Sequence, residues 1–172
     1  MAFPEMIEIK YLPIGKTRFI GSETLFSGED AWDSGIWVKL WKQTEVFWKE
    51  LSALLTEYGV DDMKYPCSMV YSGNQGLDGK VYYIAGYFFR EGTPVPDGLQ
   101  FNDIETTEVG FARFHNPHDH KDLEDTYTAT RDRILQDGHK IPYPAGYWNA
   151  EVHTTGRIVG EEVDFGYMFP VK

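Results

Sequence analysis

One stretch decides the fold of this chain: Pro144-Ala-Gly-Tyr-Trp-Asn-Ala-Glu-Val-His-Thr-Thr155. Its aromatic and β-branched residues, bounded by turn-forming prolines and glycines, predict a β-strand between two turns. Because side chains alternate along a strand, one face would carry Tyr147, Asn149, Glu151 and His153, and the other Trp148, Ala150 and Val152. A carboxylate in mid-strand is unusual for a core, since its desolvation is costly unless a partner compensates it. That partner would be water, a basic side chain or a cationic ligand.

The composition indicates an acidic, folded globular domain. The 172 residues are 42% hydrophobic and 16% aromatic, which is enough apolar side chain for a core. The formal net charge of -11 disfavours nucleic acid and anionic membrane surfaces, which attract clustered Lys and Arg. We therefore expect no direct nucleic-acid binding and no membrane partner. The same charge would attract positively charged small molecules.

The single cysteine and the start of the chain favour a cytoplasmic location. Cys67 has no second cysteine to pair with, which excludes an internal disulfide. No base is adjacent to it in sequence, so we expect it in the core rather than as a nucleophile. Residues 1–8 lack the basic and apolar segments of a signal peptide. No uncharged apolar run approaches the ~18 residues that span a membrane.

The order of elements predicts one α+β domain over residues 1–172, built from two copies of a strand-helix-strand-strand unit. The predicted elements are strands at 6–11 and 16–26, a helix at 36–58, strands at 67–71 and 80–90, a strand at 104–114, a helix at 122–136, the Glu151 strand and a strand at 162–171. A linker rich in Pro and Gly at 91–98 separates repeats at about 5–90 and 99–172. We expect Gly59 to end the first helix in the left-handed conformation.

Corresponding positions recur at a nearly constant interval, which suggests a duplication with pseudo-two-fold symmetry. Gly59 and Gly138 are 79 residues apart, and Val81 and Val163 are 82 apart. Antiparallel sheets would then surround a central cleft, which is the natural ligand site because concave sites form where structural units meet. The tryptophans of the first helix are expected mainly in the core, although one or two could line a pocket.

Several short motifs resemble the GyrI-like family, the effector-binding domains of AraC/XylS-type and multidrug-sensing bacterial transcription regulators. The motifs are Ile9-Lys-Tyr-Leu-Pro13, Arg18-Phe-Ile-Gly21, Tyr82-Tyr-Ile-Ala-Gly86, Gly146-Tyr-Trp-Asn-Ala-Glu-Val-His153 and Phe169-Pro-Val-Lys172. The resemblance spans nearly the whole chain and implies two tandem repeats around a central cleft. The two repeats use all the residues, so the chain resembles the stand-alone form found in integron cassettes, without a DNA-binding domain.

The resemblance also implies a site and a function. An acid in the penultimate strand, here Glu151, would meet lipophilic cations among aromatic rings, and His153 stands where the family often has a tyrosine. Strand positions expected to face the cleft supply the walls: Tyr71, Tyr83, Tyr147 and Tyr167. Ring quadrupoles attract cations when water is excluded. We predict non-catalytic binding of lipophilic, cationic small molecules, with no cofactor and with a separate regulatory protein as a further partner.

Two other functions remain open. Some GyrI-like proteins are hydrolases of strained genotoxic compounds, and such an enzyme would require a second acid near Glu151, with Glu108, Glu105 and Glu23 as candidates. Alternatively, the domain is a protein-interaction or inhibitor module. A purely structural Glu151 would instead bond a tyrosine or pair with a basic side chain such as Arg18 or Arg113.

Two further motifs are expected to carry no chemistry. The three histidines between His115 and His120 match no zinc spacing, and Pro117 indicates a turn, so we predict a solvated loop and no metal site. The glycine-rich segment 73–79 lacks the lysine and the following helix of a phosphate-binding loop, which excludes a nucleotide site of that kind.

Overall fold

Eight strands and three helices form the part of the chain described by the computed structural model, which is residues 5–26, 35–73, 79–106, 108–115, 120–153 and 165–172, without the side chains of residues 37 and 120–123. In chain order they are β1 (Met6–Pro13), β2 (Thr17–Leu25), α1 (Ile36–Glu45), α2 (Trp48–Tyr58), β3 (Cys67–Ser72), β4 (Val81–Arg90), β5 (Gln100–Ile104), β6 (Glu108–Phe114), α3 (His120–Gln136), β7 (Trp148–His153) and β8 (Phe165–Pro170). The fold class is therefore α+β, as predicted.

All eight strands belong to one antiparallel sheet in the order β1-β6-β8-β7-β3-β4-β2-β5. The prediction of a single strand over 104–114 is wrong, because β5 and β6 lie far apart in this order. β5 pairs with β2, and β1 pairs with β6, so each outer strand lies beside a strand from the other half of the chain. β3 and β7 meet at the centre. The duplication itself stays a prediction.

The sheet curls around a core on its inner face. Only residues 105–107 connect β5, at one edge, to β6, next to the other edge. The step from residue 104 to 108 spans at most ~14 Å, whereas six strand spacings across a flat sheet would need ~29 Å. Ile104 and Val109 accordingly lie in one buried cluster with Phe19, Met69 and Trp148. Burial of this shared cluster stabilises the curl.

The helices pack on the outer face of the sheet and leave its centre between them. α1 and α2 pack against β2 and β4 through a cluster that includes Leu40, Trp41 and Leu51. α3 packs against β6 and β8, with Ile134 buried against Phe169. The middle strands β7 and β3 therefore form the floor between two helical walls. No helix in the described ranges is both long and apolar enough to cross a membrane.

The first helix departs from the sequence prediction at two points. The predicted helix over 36–58 is two helices, interrupted at Val46 and Phe47, where the Phe47 ring packs in the cluster of Leu99. Gly59 is extended, with φ of -61° and ψ of 144°, so the predicted left-handed ending is wrong. A Cβ on Gly59 would lie 2.4 Å from the Leu55 carbonyl oxygen. Close packing, rather than a positive φ, accounts for this glycine.

Candidate functional site

Glu151 lies on the outer face of β7, at the centre of the sheet. Trp148, Ala150 and Val152 point into the inner core, as the alternation predicts. In the register of the sheet, Glu151 is directly paired with Ser68 of β3 and with Tyr167 of β8. Ser68 is in turn paired with Ala85 of β4. Ser68 and Ala85 are small, so the surface of the sheet is low on one side of the carboxylate. We call the surface formed by Glu151, Ser68, Ala85 and Tyr167 the Glu151 cleft.

The helices close this cleft from above. The indole of Trp41, on α1, donates a hydrogen bond from Nε1 to Ser68 Oγ at 3.1 Å. On the other side, Tyr127 of α3 packs edge-on against Tyr167, with ring centroids 5.5 Å apart. Between them, His153 lies within 6.4 Å of the Trp41 ring centroid and 5.8 Å of the Phe165 centroid. The wall at His153 is therefore aromatic.

The Glu151 carboxylate is desolvated without compensation from a described neighbour. Burial alone raises the pKa of Glu151 from 4.5 to about 7. The basic side chains predicted as structural partners have other acids: Arg18 binds Asp103 with two hydrogen bonds of 2.7 and 2.9 Å, and Arg113 pairs with Glu8. Glu151 is nevertheless only half-buried by accessible surface. The carboxylate is thus largely withdrawn from water while the side chain stays partly accessible.

Two predicted wall residues lie within electrostatic reach of Glu151. Tyr83 and Tyr167 are both buried on the outer face of the sheet. Burial and, after it, the negative charge of Glu151 raise the pKa of each phenol above its ordinary range. The Tyr83 ring also stacks on Phe26 at 5.9 Å. The ionisation of these two phenols therefore depends on the charge of the Glu151 carboxylate.

A chain of hydrogen bonds holds the tyrosines in place. The Tyr167 hydroxyl donates to Asn149 Oδ1 at 2.8 Å, and Asn149 Nδ2 donates to the Tyr147 hydroxyl at 2.9 Å. The Tyr147 and Tyr127 hydroxyls lie 3.2 Å apart. Because the Tyr167 proton is used by Asn149, Tyr167 presents its ring rather than a donor to the cleft. The alternation of the strand puts Asn149 on the face of Glu151, but no sequence motif singles out Tyr127.

Tyr71 is not part of this arrangement. The pairing of Ser68 with Glu151 puts the even-numbered residues of β3 on the outer face, so Tyr71 points into the inner cluster. There its ring stacks on Tyr82 at 5.4 Å, and its hydroxyl bonds the carboxylate of Glu23. The prediction that Tyr71 faces the cleft is therefore corrected. Tyr83, Tyr147 and Tyr167 share the face of Glu151, and their contact with a ligand stays a prediction.

The other candidate groups lie away from Glu151 or outside the described residues. Glu105 pairs with Lys16 at 2.7 Å, and Glu108 faces His139 at 3.9 Å. Residues 116–119 of the histidine loop, and the side chain of residue 120, are not described. Within the described residues, no three His, Cys, Asp or Glu side chains are grouped as metal ligands. Cys67 is buried in the inner core.

Solved structures share this fold at low sequence identity. The structure of SAV2435 bound to tetraphenylphosphonium aligns with a TM-score of 0.63 at 14% identity, covering 96% of this chain and 94% of that one. A protein named for bacterial transcription regulation, from Staphylococcus aureus MU50, gives 0.56 at 15% identity, covering 98% and 99%. A hydrolase from Listeria innocua gives 0.55 at 8% identity, covering 96% and 92%.

At these identities the likeness concerns the fold alone. No protein-family model matches the chain, and no curated protein matches it. The structural matches nevertheless cover nearly the full length of both partners. The chain therefore shares the fold of these proteins, which agrees with the resemblance of its motifs to the GyrI-like family.

Proposed function

We propose that this protein binds lipophilic cations at Glu151 and releases them unchanged. The observation that carries the proposal is the desolvated, accessible carboxylate, which no described base compensates, beside Tyr83 and Tyr167, with Tyr147 on the same face of the sheet. The site residues predicted from the sequence, apart from Tyr71, lie on this one face. A protein of the same fold has been solved with tetraphenylphosphonium, a lipophilic cation, and that match supports the ligand class.

The chemistry of such a site selects a particular kind of cation. A carboxylate among aromatic rings attracts positive charge, and ring quadrupoles add to that attraction when water is excluded. Small hydrated ions would have to give up strongly bound water to enter, whereas a delocalised or quaternary cation loses little hydration and buries apolar surface. Neither a single charge nor a ring face demands one ligand outline. The site should therefore tolerate several shapes of cation.

The first test is a titration of the protein with tetraphenylphosphonium and with neutral triphenylphosphine oxide at pH 8. We expect saturable binding of the cation, much weaker binding of the neutral compound, and recovery of both with unchanged mass. A difference in affinity between the two compounds would be due to the positive charge, because both compounds carry similar aryl surface. Equal affinities would refute the electrostatic basis of the proposal, and a change of mass would indicate catalysis.

The affinity for a permanent cation should depend on pH. Because the pKa of Glu151 is raised to about 7, the carboxyl holds a proton below that pH and must lose it to bind a cation. We expect the affinity for tetraphenylphosphonium to fall about tenfold between pH 8 and pH 6. Titration calorimetry at pH 6, 7 and 8 measures this change. A constant affinity across the range would contradict the role of Glu151, and triphenylphosphine oxide serves as the control without charge.

Hydrolysis is the second candidate, because a hydrolase shares the fold and Glu151 has a pKa suited to general acid or base catalysis. The three acids considered as its partner do not lie beside it: Glu105 pairs with Lys16, Glu108 faces His139, and Glu23 lies with Tyr71 on the inner face. These placements favour binding over turnover. Mass analysis of the recovered ligand separates the two functions.

We further propose that the protein acts in the cytoplasm and passes the state of its cleft to a separate regulatory protein. The resemblance to regulator domains motivates this proposal, as does the lack of a basic, nucleic-acid-binding composition. If no cation in the panel binds, a module that contacts another protein through the cleft edge becomes the better explanation. Affinity capture with and without tetraphenylphosphonium tests the partner, since a ligand-dependent partner should differ between the two conditions.

A further inference from the structure

A second concave feature lies beside the Glu151 cleft, where the α1–α2 junction meets the sheet. It has a volume of about 260 Å³ and is lined by Trp41, Thr44, Glu45, Trp48, Pro66 and Tyr87. We call it the tryptophan pocket. The Tyr87 ring is central to it, with its centroid 6.2 Å from that of Trp41 and 5.9 Å from that of Trp48. The helices thus supply two indoles together with the polar side chains of Thr44 and Glu45, β4 supplies a phenol ring, and the proline lies just before β3.

The pocket adjoins the carboxylate through shared residues. Trp41 lines the pocket and also hydrogen-bonds to Ser68, which is paired with Glu151. Pro66 lines the pocket and accepts a hydrogen bond of 3.0 Å from the backbone of His153, two residues beyond Glu151. Residues two apart on one strand face are separated by ~7 Å. The floor of the pocket is therefore about one such step from the row that holds the carboxylate.

The lining of the pocket suits a flat apolar ring. Its volume is below the ~300–1,000 Å³ of sites that hold a whole drug-sized molecule, so it would hold part of one. Trp41 and Tyr87 meet edge to face, an arrangement that a further aromatic ring can extend by offset stacking. Trp48 is 51% exposed although its ring borders the pocket. An aryl group in the pocket would cover part of that indole.

Resting on the proposed function, we infer that the tryptophan pocket binds an aryl arm of the ligand while the ligand's positive charge lies at Glu151. The ligand class is therefore narrower than lipophilic cations in general. It consists of elongated aromatic cations, in which a flat ring projects from the charged centre by about the length of one further ring. Compact cations of equal charge would occupy Glu151 alone and bind less tightly.

The test compares N-methylpyridinium with 4-phenyl-N-methylpyridinium by titration calorimetry at pH 8. The two cations carry the same charge and differ by one phenyl ring. In the unmodified protein we expect the phenyl compound to bind at least about tenfold more tightly. Trp48→Ala should remove most of that preference while leaving N-methylpyridinium unchanged, and Trp48→Phe should retain most of it. Circular dichroism spectra establish that each variant is folded.

Phe101→Ala is the matched control, because Phe101 is 48% exposed, similar to Trp48, and does not line the pocket. It should leave both affinities unchanged. Glu151→Gln should lower the affinity for both compounds alike.

The inference is overturned if Trp48→Ala keeps the phenyl preference, if it lowers the affinity for both compounds equally, or if Glu151→Gln leaves the affinity for the phenyl compound unchanged. Binding of both pyridiniums through Glu151 with no phenyl preference would defeat the inference alone, whereas failure of both cations to bind the unmodified protein would defeat the proposed function as well.

Discussion

Glu151→Gln is expected to weaken the binding of tetraphenylphosphonium by about two orders of magnitude while the protein remains folded. The substitution keeps the shape of the side chain and removes its charge, so the cation loses the desolvated counter-charge that Glu151 would supply. Charged pairs that are removed from water are worth ~2–5 kcal/mol when one partner is truncated, which corresponds to this loss of affinity. Titration at pH 8 measures it, because the carboxyl is then ionised.

Two variants of the chain serve as controls for this result. Tyr71→Phe removes a hydroxyl on the inner face of the sheet, and Glu105→Gln removes an exposed acid that pairs with Lys16. Both should retain the affinity of the unmodified protein for the cation. If Glu151→Gln binds tetraphenylphosphonium as tightly as these controls do, another group supplies the attraction. If the controls lose affinity as well, the loss reflects the net charge or the fold rather than the site.

The same substitution is expected to stabilise the folded protein above neutral pH. The pKa of Glu151 is about 7 in the folded state and about 4.5 when the side chain is unfolded in water, so the folded state holds its proton more tightly. Below pH 4.5 the carboxyl is mainly protonated in both states, so it does not lower the free energy of unfolding. As the pH rises, the cost of the buried charge grows until the carboxyl is fully ionised above pH 7. Glu151→Gln should raise the free energy of unfolding by ~2–3 kcal/mol at pH 8 and change it little at pH 4.5.

Urea denaturation of both proteins at the two pH values checks this expectation without any ligand. The gain should appear as a shift of the midpoint at pH 8 with an unchanged dependence on urea concentration. Glu105→Gln is again the control, and because it removes only an exposed ion pair it should change stability little at either pH. A Glu151→Gln protein that is no more stable at pH 8, or equally stabilised at both pH values, would show that the folded carboxyl is not desolvated.

The central strand could be predicted from its residues because only one assignment of its faces buries Trp148, Ala150 and Val152 together. β3 was ambiguous for the opposite reason. In Cys67-Ser-Met-Val-Tyr-Ser72 both faces carry apolar residues, so alternation alone did not show which face joins Glu151. The pairing of Ser68 with Glu151 settles it, and this pairing is a long-range contact of 83 positions along the chain. Tyr71 was misplaced for lack of that information.

The errors at 36–58 and 104–114 have a similar cause. Periodicity continues through Val46 and Phe47, whereas the helix is interrupted there and Phe47 packs in the cluster of Leu99, far along the chain. Likewise, the sequence pattern runs without a break from 104 to 114, but β5 ends at Ile104 and β6 begins at Glu108 near the opposite edge of the sheet. Local pattern predicts the type of an element well. It does not report where the curvature of a sheet will bring its ends together.

The exchange of outer strands makes the two halves of the chain dependent on one another. β1 pairs with β6, and β5 pairs with β2. At each edge of the sheet, the outermost strand therefore comes from one half of the chain and its neighbour from the other half. The strands β3 and β7, which meet at the centre, also come from different halves, and Ser68 and Glu151 face each other across that boundary. A molecule that contacts both Tyr83 and Glu151 therefore bridges the boundary between the two halves of the chain. Its binding would change the stability of the pairing between β3 and β7.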